Sequence, residues 1–209
     1  MTQHNTFPQI ILASTSPFRK QLLKKLHLPF ETANPEVDET ALANETVIEM
    51  VQRLSRQKAQ VIANQNPSAI VIGSDQSATF QGKAIGKPIT HANAVKQLRQ
   101  FSGQTIDFIT GLAVIDGTHT KIHQAIDMTQ VTFRQLTDNE IEQYLRLEIP
   151  YQCAGSFKSE GLGISLFNKI HTNDPNALIG LPLIELTSLL KQCGIALPYD
   201  YNKPTNDVF

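Results

Sequence analysis

The sequence predicts an α/β fold, and three observations carry that prediction. Ile10–Ala13 is a short apolar run that passes through Ser14-Thr15-Ser16 into Pro17 and a helical pattern. Ala69-Ile70-Val71-Ile72 is a second apolar run, of the kind found in strands buried on both faces. Around them, amphipathic patterns of helical period alternate with β-branched stretches, notably residues 105–115 and 121–134.

Composition narrows the class. A chain of 209 residues is long enough for a substantial core. Its 41% hydrophobic and 18% charged content is ordinary for a soluble globular protein. A formal net charge of −1 gives no footprint for a nucleic-acid or membrane-surface partner. Cys153 and Cys193 lie too far apart for a metal-ligand motif and make no disulfide framework. The scattered histidines suggest no zinc site. Residues 1–9 are polar, without the apolar core of a secretory signal, and no apolar run approaches a membrane span. The expectation is a cytoplasmic protein.

The first helix is predicted over residues 17–26. Ser16 takes the N-cap, Pro17 the first turn, and Leu22, Leu23 and Leu26 form the apolar stripe. A strand ending in small polar residues at a helix N-terminus leaves N–H groups unsatisfied where the dipole favours an anion. Arg19 and Lys20 stand in that turn with the wrong sign for the dipole. Either a bound phosphate accounts for them or they are solvated bases. Residues 30–35 form an extended segment broken by Pro35. The tetrad Glu36-Val37-Asp38-Glu39 suits a hard divalent cation, or is a plain acidic turn before a helix.

The second helix, residues 46–64, carries Val47, Val51, Leu54, Val61 and Ile62 on one face. Lys58 falls on that face, so it must snorkel, pair with an acid or meet an anionic ligand. The apolar strand 69–72 ends in Gly73-Ser74 and then Asp75. That places the acid just past a buried strand's C-terminal end, where α/β sheets bind ligands. Asp75 is the leading catalytic candidate, with a turn-forming aspartate as the alternative. Residues 77–80 and 83–85 are expected as a hairpin about Gln81-Gly82, closed by Gly86-Lys87-Pro88. Pro88 fixes the backbone beside Lys87, as suits a positioned cation, though a loop lysine is also at home there.

A third helix, His91–Phe101, is predicted to bury Ala94, Val95, Leu98 and Phe101 and to end at Ser102-Gly103. Strands over 105–115 and 121–134 flank an Asp116-Gly117 turn, with His119 and His123 expected on the hairpin's surface. Thr137 and Glu140 form a capping box for a helix to about Leu147 that packs through Ile141, Tyr144 and Leu145. Residues 151–164 crowd Gly155, Ser156, Lys158, Ser159, Glu160 and Gly161 between regular elements. Their order excludes a Walker motif, leaving a ligand loop or a crossover. Asp174-Pro175-Asn176 marks a turn. Leu181-Pro182 opens a last helix through Leu183, Leu186, Leu189 and Leu190 to Gly194. No repeat or linker divides the chain, so residues 1–195 are expected as one domain and 196–209 as a loosely held tail.

In this order the motifs resemble the Maf family of nucleotide pyrophosphatases. The matching stretches are Leu12-Ala13-Ser14-Thr15-Ser16-Pro17 with Arg19, Glu36-Val37-Asp38-Glu39, Lys58-Ala59, Ile72-Gly73-Ser74-Asp75-Gln76, Gly86-Lys87-Pro88, Gly155-Ser156-Phe157-Lys158-Ser159-Glu160-Gly161 and Gly180-Leu181-Pro182. The resemblance implies an elongated mixed sheet flanked by helices, with two lobes around a nucleotide cleft, as in the inosine-triphosphatase-like fold. It also implies hydrolysis of a nucleoside triphosphate to the monophosphate and diphosphate with a divalent cation, Mg²⁺ or Mn²⁺.

One branch of the family has two bases after the proline and acts on dTTP, UTP and related nucleotides. Here Phe18 replaces the first base, and with Gln76 and Glu160 the chain is similar to the branch that hydrolyses 7-methyl-GTP. N7-methylation gives guanine a positive charge that an aromatic face attracts, by roughly 0.5–2 kcal/mol. A carboxylate accepts from guanine's N1–H and N2–H₂ edge, more strongly when the base is cationic. The chain departs from that branch in having phenylalanine where the larger tryptophan is expected. On this resemblance Asp75 is the proton acceptor, and Glu39 and Asp75 hold the metal. Ser14, Ser16, Arg19, Lys58 and Lys87 bind phosphates, and Phe18, Gln76 and Glu160 select the base. The partner is a small-molecule nucleotide, not a nucleic acid or a membrane, and the oligomeric state stays open, a homodimer included. The alternatives are a pyrophosphatase of pyrimidine or non-standard nucleotides, and a non-catalytic nucleotide-binding regulator of cell division.

Overall fold

A computed structural model describes residues 7–118 and 121–198; His119 and residues 199–209, the greater part of the expected tail, lie outside them. The first apolar run is strand β1, Ile10–Ala13, buried at every position, and it leads into helix α1, Pro17–Lys24. Strand β2, Glu31–Ala33, runs parallel to β1. Helix α2, Val47–Gln65, starts with a capping box between Thr46 and Glu49 that sequence reasoning did not single out. Strands β3, Ile70–Phe80, and β4, Lys83–Ile85, form the expected hairpin, with positive φ at Gln81 and Gly82 making the turn. Helix α3, His91–Phe101, precedes the long antiparallel pair β5, Thr105–Asp116, and β6, Lys121–Phe133. Helix α4, Asp138–Glu148, has the Thr137–Glu140 capping box. Three short 3₁₀ turns, Ala154–Ser156, Leu162–Leu166 and Ala177–Ile179, with strand β7, Phe167–His171, and helix α5, Leu183–Gln192, complete the described residues.

The seven strands found among the described residues join one mixed sheet in the order β2-β1-β3-β5-β6-β7, with β4 also on β3. Side chains alternate across it with the strand period of two. Ile10, Leu12, Ile70, Ile72, Leu112 and Val114 face a core shared with α1 and α5. Ile11, Ala13, Val71, Ala113 and Ile115 face α2 on the opposite side. A third cluster fills the far half, where Leu98 and Phe101 of α3 and Ile141 and Leu145 of α4 pack on Phe108 and Phe133.

Three expectations change. β3 does not stop at Ile72: it continues through Gly73, Ser74 and Asp75 to Phe80, because β5 pairs with it from Ile70 to Thr79. Asp75 therefore lies within a strand, opposite Gly111, and not beyond a strand's end. β7 was not anticipated. His123 is half-buried with its Nε2 lacking a partner among the described residues, so it is not the surface residue expected.

Along one edge β3 is only partly covered. β1 pairs with Ile70, Val71 and Ile72, and β4 with Ala78, Thr79 and Phe80. Residues 73–77 have no strand partner there among the described residues, so the sheet opens between β1 and β4.

Candidate active site

The opening in the sheet is the floor of a cleft of about 830 Å³. All ten residues singled out from the sequence line it: Ser14, Ser16, Phe18 and Arg19 at the start of α1, Glu39 from the loop before α2, and Lys58 of α2; Asp75 and Gln76 of β3, Lys87 after β4, and Glu160 beyond the first 3₁₀ turn complete the set.

Its centre is a buried ion pair. Lys58 Nζ donates to Asp75 Oδ1 at 2.6 Å and lies 2.5 Å from Glu39 Oε1. Lys58 and Asp75 are 6% and 7% exposed, so removing either would leave the other buried without that partner. Two glycines bring them together. A Cβ on Gly73 would fall 2.2 Å from the Ser55 carbonyl oxygen, and one on Gly111 2.4 Å from that of Val51. With hydrogen in their place, the α2 backbone lies directly on β3 and β5. Of the three options left for Lys58, the structure shows pairing with acids.

Glu39 is held over this pair from an irregular loop. Arg53 of α2 fastens the loop, with Nε and Nη2 bonding the two Glu45 carboxylate oxygens at 2.6 and 2.7 Å and Nη2 also donating to Thr40 O. Burial pushes the Glu39 carboxyl up, but Lys58, with Lys87 and Arg19 behind it, holds it below its ordinary value. Glu36 and Glu39 line the cleft, whereas Asp38 turns away to accept from Thr40 N.

At the start of α1, Ser16 Oγ accepts from Arg19 N as N-cap, and Ser14 Oγ accepts from Ser16 N. The N–H groups of Thr15 and Phe18 are left without partners among the described residues, as an anion site at a helix start requires. Arg19 does not stand free beside them: its Nε donates to Gly180 O at 2.8 Å, which leaves the two terminal nitrogens for an anion. Burial pulls the guanidinium below its ordinary value, against the opposing charges of Asp75 and Glu39. Phe18 is half-buried.

On the other wall, the glycine-rich stretch divides its side chains. Phe157 enters the core against Phe108, Phe133 and Phe167, and Lys158 Nζ donates to Glu148 O. Ser159 and exposed Glu160 face the cleft. Gln76 Nε2 donates to Ala177 O at 2.7 Å, Leu178 O at 3.1 Å and Thr110 Oγ1 at 3.1 Å. Sequence reasoning passed over Ala177, Leu178 and Gly180, because a backbone carbonyl has no residue-type signal; the Gly-Leu-Pro triplet was the one hint.

No group of three or more Asp, Glu, His or Cys able to hold a metal occurs among the described residues. Glu39 and Asp75 instead share one ammonium, as two carboxylates share a cation. Two carboxylates so placed would suit a hard cation such as Mg²⁺ or Mn²⁺ that takes its other oxygen ligands from outside the protein, rather than a resident all-protein cage. No helix among the described residues is long and apolar enough to cross a membrane.

A mixed α/β sheet, opened at one edge over a cleft where Arg19, Lys58 and Lys87 stand among the acids Glu36, Glu39, Asp75 and Glu160, defines an α/β protein with a charge-lined binding cleft. The family model for Maf-like protein matches residues 9–193, and the chain belongs to that family. It is 64% identical over 192 residues, 92% of this chain and 96% of the relative, to a 7-methyl-GTP pyrophosphatase of Hydrogenovibrio crunogenus. It is 50% identical over 187 residues, 90% of this chain and 94% of the relative, to a 7-methyl-GTP pyrophosphatase of Nitrosococcus oceani. Among solved structures it is similar to the Ham1 protein of Staphylococcus aureus, with a TM-score of 0.44 and 14% identity over 61% of this chain and 72% of that one.

Proposed function

We infer that this protein hydrolyses 7-methyl-GTP to 7-methyl-GMP and diphosphate. The observation that carries the reading is the convergence of Phe18, Gln76 and Glu160 on the cleft that holds the Lys58–Asp75 pair. Phe18 offers a π-face to the cationic base, and Glu160 a carboxylate to the N1–H and N2–H₂ edge of guanine.

Water attacks the α-phosphorus as the bond to the bridging oxygen breaks and diphosphate leaves. The Asp75 carboxylate takes the water's proton. Arg19, Lys58 and Lys87 neutralise phosphate oxygens, and the turn at Ser14 and Ser16 cradles one phosphate on its N–H groups. A divalent cation, held by Glu39 and Asp75 together with the substrate, would supply charge neutralisation on the phosphates. Lys58 then exchanges its carboxylate contacts for phosphate contacts, which fits a lysine able to re-aim its ammonium. The reading also takes residues 1–195 as one catalytic unit working in the cytoplasm.

The test is diphosphate release from 7-methyl-GTP, GTP, UTP and dTTP with and without Mg²⁺. The reading expects 7-methyl-GTP to lead and metal to be required. Faster turnover of UTP or dTTP would transfer the protein to pyrimidine nucleotides, and binding without turnover of any of them would make it a sensor.

A further inference from the structure

Two side chains that line the cleft, Gln76 and Arg19, are gripped by the same short piece of backbone. Between β7 and α5 the chain makes a single 3₁₀ turn, Ala177–Ile179. Its carbonyls point at the cleft residues. Ala177 O and Leu178 O accept from Gln76, and Gly180 O accepts from Arg19 at 2.8 Å and from buried Ser74 at 2.9 Å. Thr110 Oγ1 adds a further bond to Ala177 O at 3.0 Å. Gly180 adopts φ +119°, which favours glycine, and a Cβ there would meet Arg19 Nε at 3.4 Å.

One carboxylate fastens this segment. Asp174 is 1% exposed. Its Oδ1 accepts from Asn176 N and Nδ2, both at 2.8 Å, and its Oδ2 accepts from Ile184 N at 2.6 Å. Ile184 lies in the first turn of α5, whose own cap residue, Pro182, provides no side-chain bond. Asp174 thus caps α5 across the intervening segment, with the negative charge that a helix N-terminus favours. The residue before the 3₁₀ turn and the first turn of α5 are thus tied to the same side chain.

We propose that residues 174–181 form a positioning strap that sets Gln76 and Arg19 together, with Asp174 as its latch and a positioning residue for nucleotide selectivity. The proposal rests on the reading that Gln76 meets the base and Arg19 the phosphates. Asp174 touches neither. It acts through the carbonyls of Ala177, Leu178 and Gly180, so loosening it should disturb base selection and phosphate grip in one stroke.

Asp174→Asn tests this. The variant keeps the shape but turns one acceptor into a donor facing an N–H group. The assay is kcat/KM over 7-methyl-GTP, GTP and UTP, with calorimetric Kd for the same nucleotides in EDTA. The strap predicts that the ratio between the best nucleotide and the next falls about tenfold or more, and that KM rises. In a Gln76→Ala background Asp174→Asn should no longer change that ratio. Leu186→Ala, which destabilises α5 through its core, should keep the wild-type ratio. Asn176→Ala, which removes the Nδ2 bond to Asp174 Oδ1 without touching Gln76, Arg19 or α5, should narrow it and serves should Asp174→Asn not fold. An equal loss on every nucleotide in Asp174→Asn and Asn176→Ala, the same with Gln76 present or absent, overturns the strap. A different leading nucleotide in the wild type overturns the 7-methyl-GTP reading and leaves the ratio test standing.

Discussion

Gly73→Ala should inactivate the protein without adding any group to the cleft chemistry. The new Cβ would sit 2.2 Å from Ser55 O and 2.8 Å from Ala59 N, where ordinary contact begins at 3.4 Å. Both atoms belong to the α2 backbone, so no side chain can swing aside. The helix must withdraw by about 1 Å, which a close-packed core transmits. Overpacking of this kind costs about 1–3 kcal/mol, or about 2–4 °C in Tm per kcal/mol for a chain of this size. Lys58 lies between Ser55 and Ala59 and withdraws with them, away from the 2.6 Å bond to Asp75. A misplacement of about 1 Å in a catalytic group costs about 10²-fold in rate. Diphosphate release and a thermal melt on the same preparation measure both. Gly86→Ala is the control, because a Cβ there meets no atom within 4 Å although the residue lines the same cleft. A folded Gly73→Ala with wild-type kcat/KM, or equal impairment of Gly86→Ala, would refute the claim that close helix–sheet contact positions Lys58.

Other expectations follow from the same geometry. Phe18→Arg should weaken 7-methyl-GTP more than UTP in kcat/KM, since it sets a cation against a cationic base; equal loss on both sinks the stacking role. Phe18→Trp should tighten 7-methyl-GTP, within the roughly 0.5–2 kcal/mol of a cation–π contact, and a weaker Kd would mean the cleft has no room for the larger face. EDTA should stop turnover yet leave the Tm of the nucleotide-free protein unchanged, because the described residues hold no metal cage; a large drop in Tm would reveal a structural metal. Glu45 is held down to about 2, chiefly by its hydrogen bonds from Arg53 and against the opposing effect of burial. A carboxyl depressed in the fold stabilises it above its unfolded value near 4.5 and loses that effect as pH falls toward 2. The Tm advantage of wild type over Glu45→Gln should therefore be full at pH 6 and shrink below pH 4.5; a gap independent of pH would remove the ion pair from the loop's anchorage.

Local rules made much of this fold legible. Caps at Ser16 and Thr137, the Gln81-Gly82 turn and the helical stripes depend on neighbours in sequence, and they occur where the residue types place them. Lys58 stood out because a charge on an apolar helix face needs a partner, and the partner exists. Long-range effects were hidden. Gly73-Ser74 looked like a strand's end, yet Gly73 serves helix contact and β5 carries the ladder onward. β7 was missed because its five residues are pinned only by pairing with β6. The segment was read as a bare Asp-Pro-Asn turn, since its carbonyls meet residues 101 and 161 positions away.

Turnover of 7-methyl-GTP by wild type and by Asp75→Asn, with nucleotide binding measured alongside by calorimetry, puts the proposed chemistry to the proof. Wild type should release diphosphate from 7-methyl-GTP faster than from UTP. Asp75→Asn should lose turnover by about 10²–10⁴-fold while still binding the nucleotide. Unchanged turnover in Asp75→Asn, or a wild type that prefers UTP, would contradict the mechanism or the base selectivity respectively.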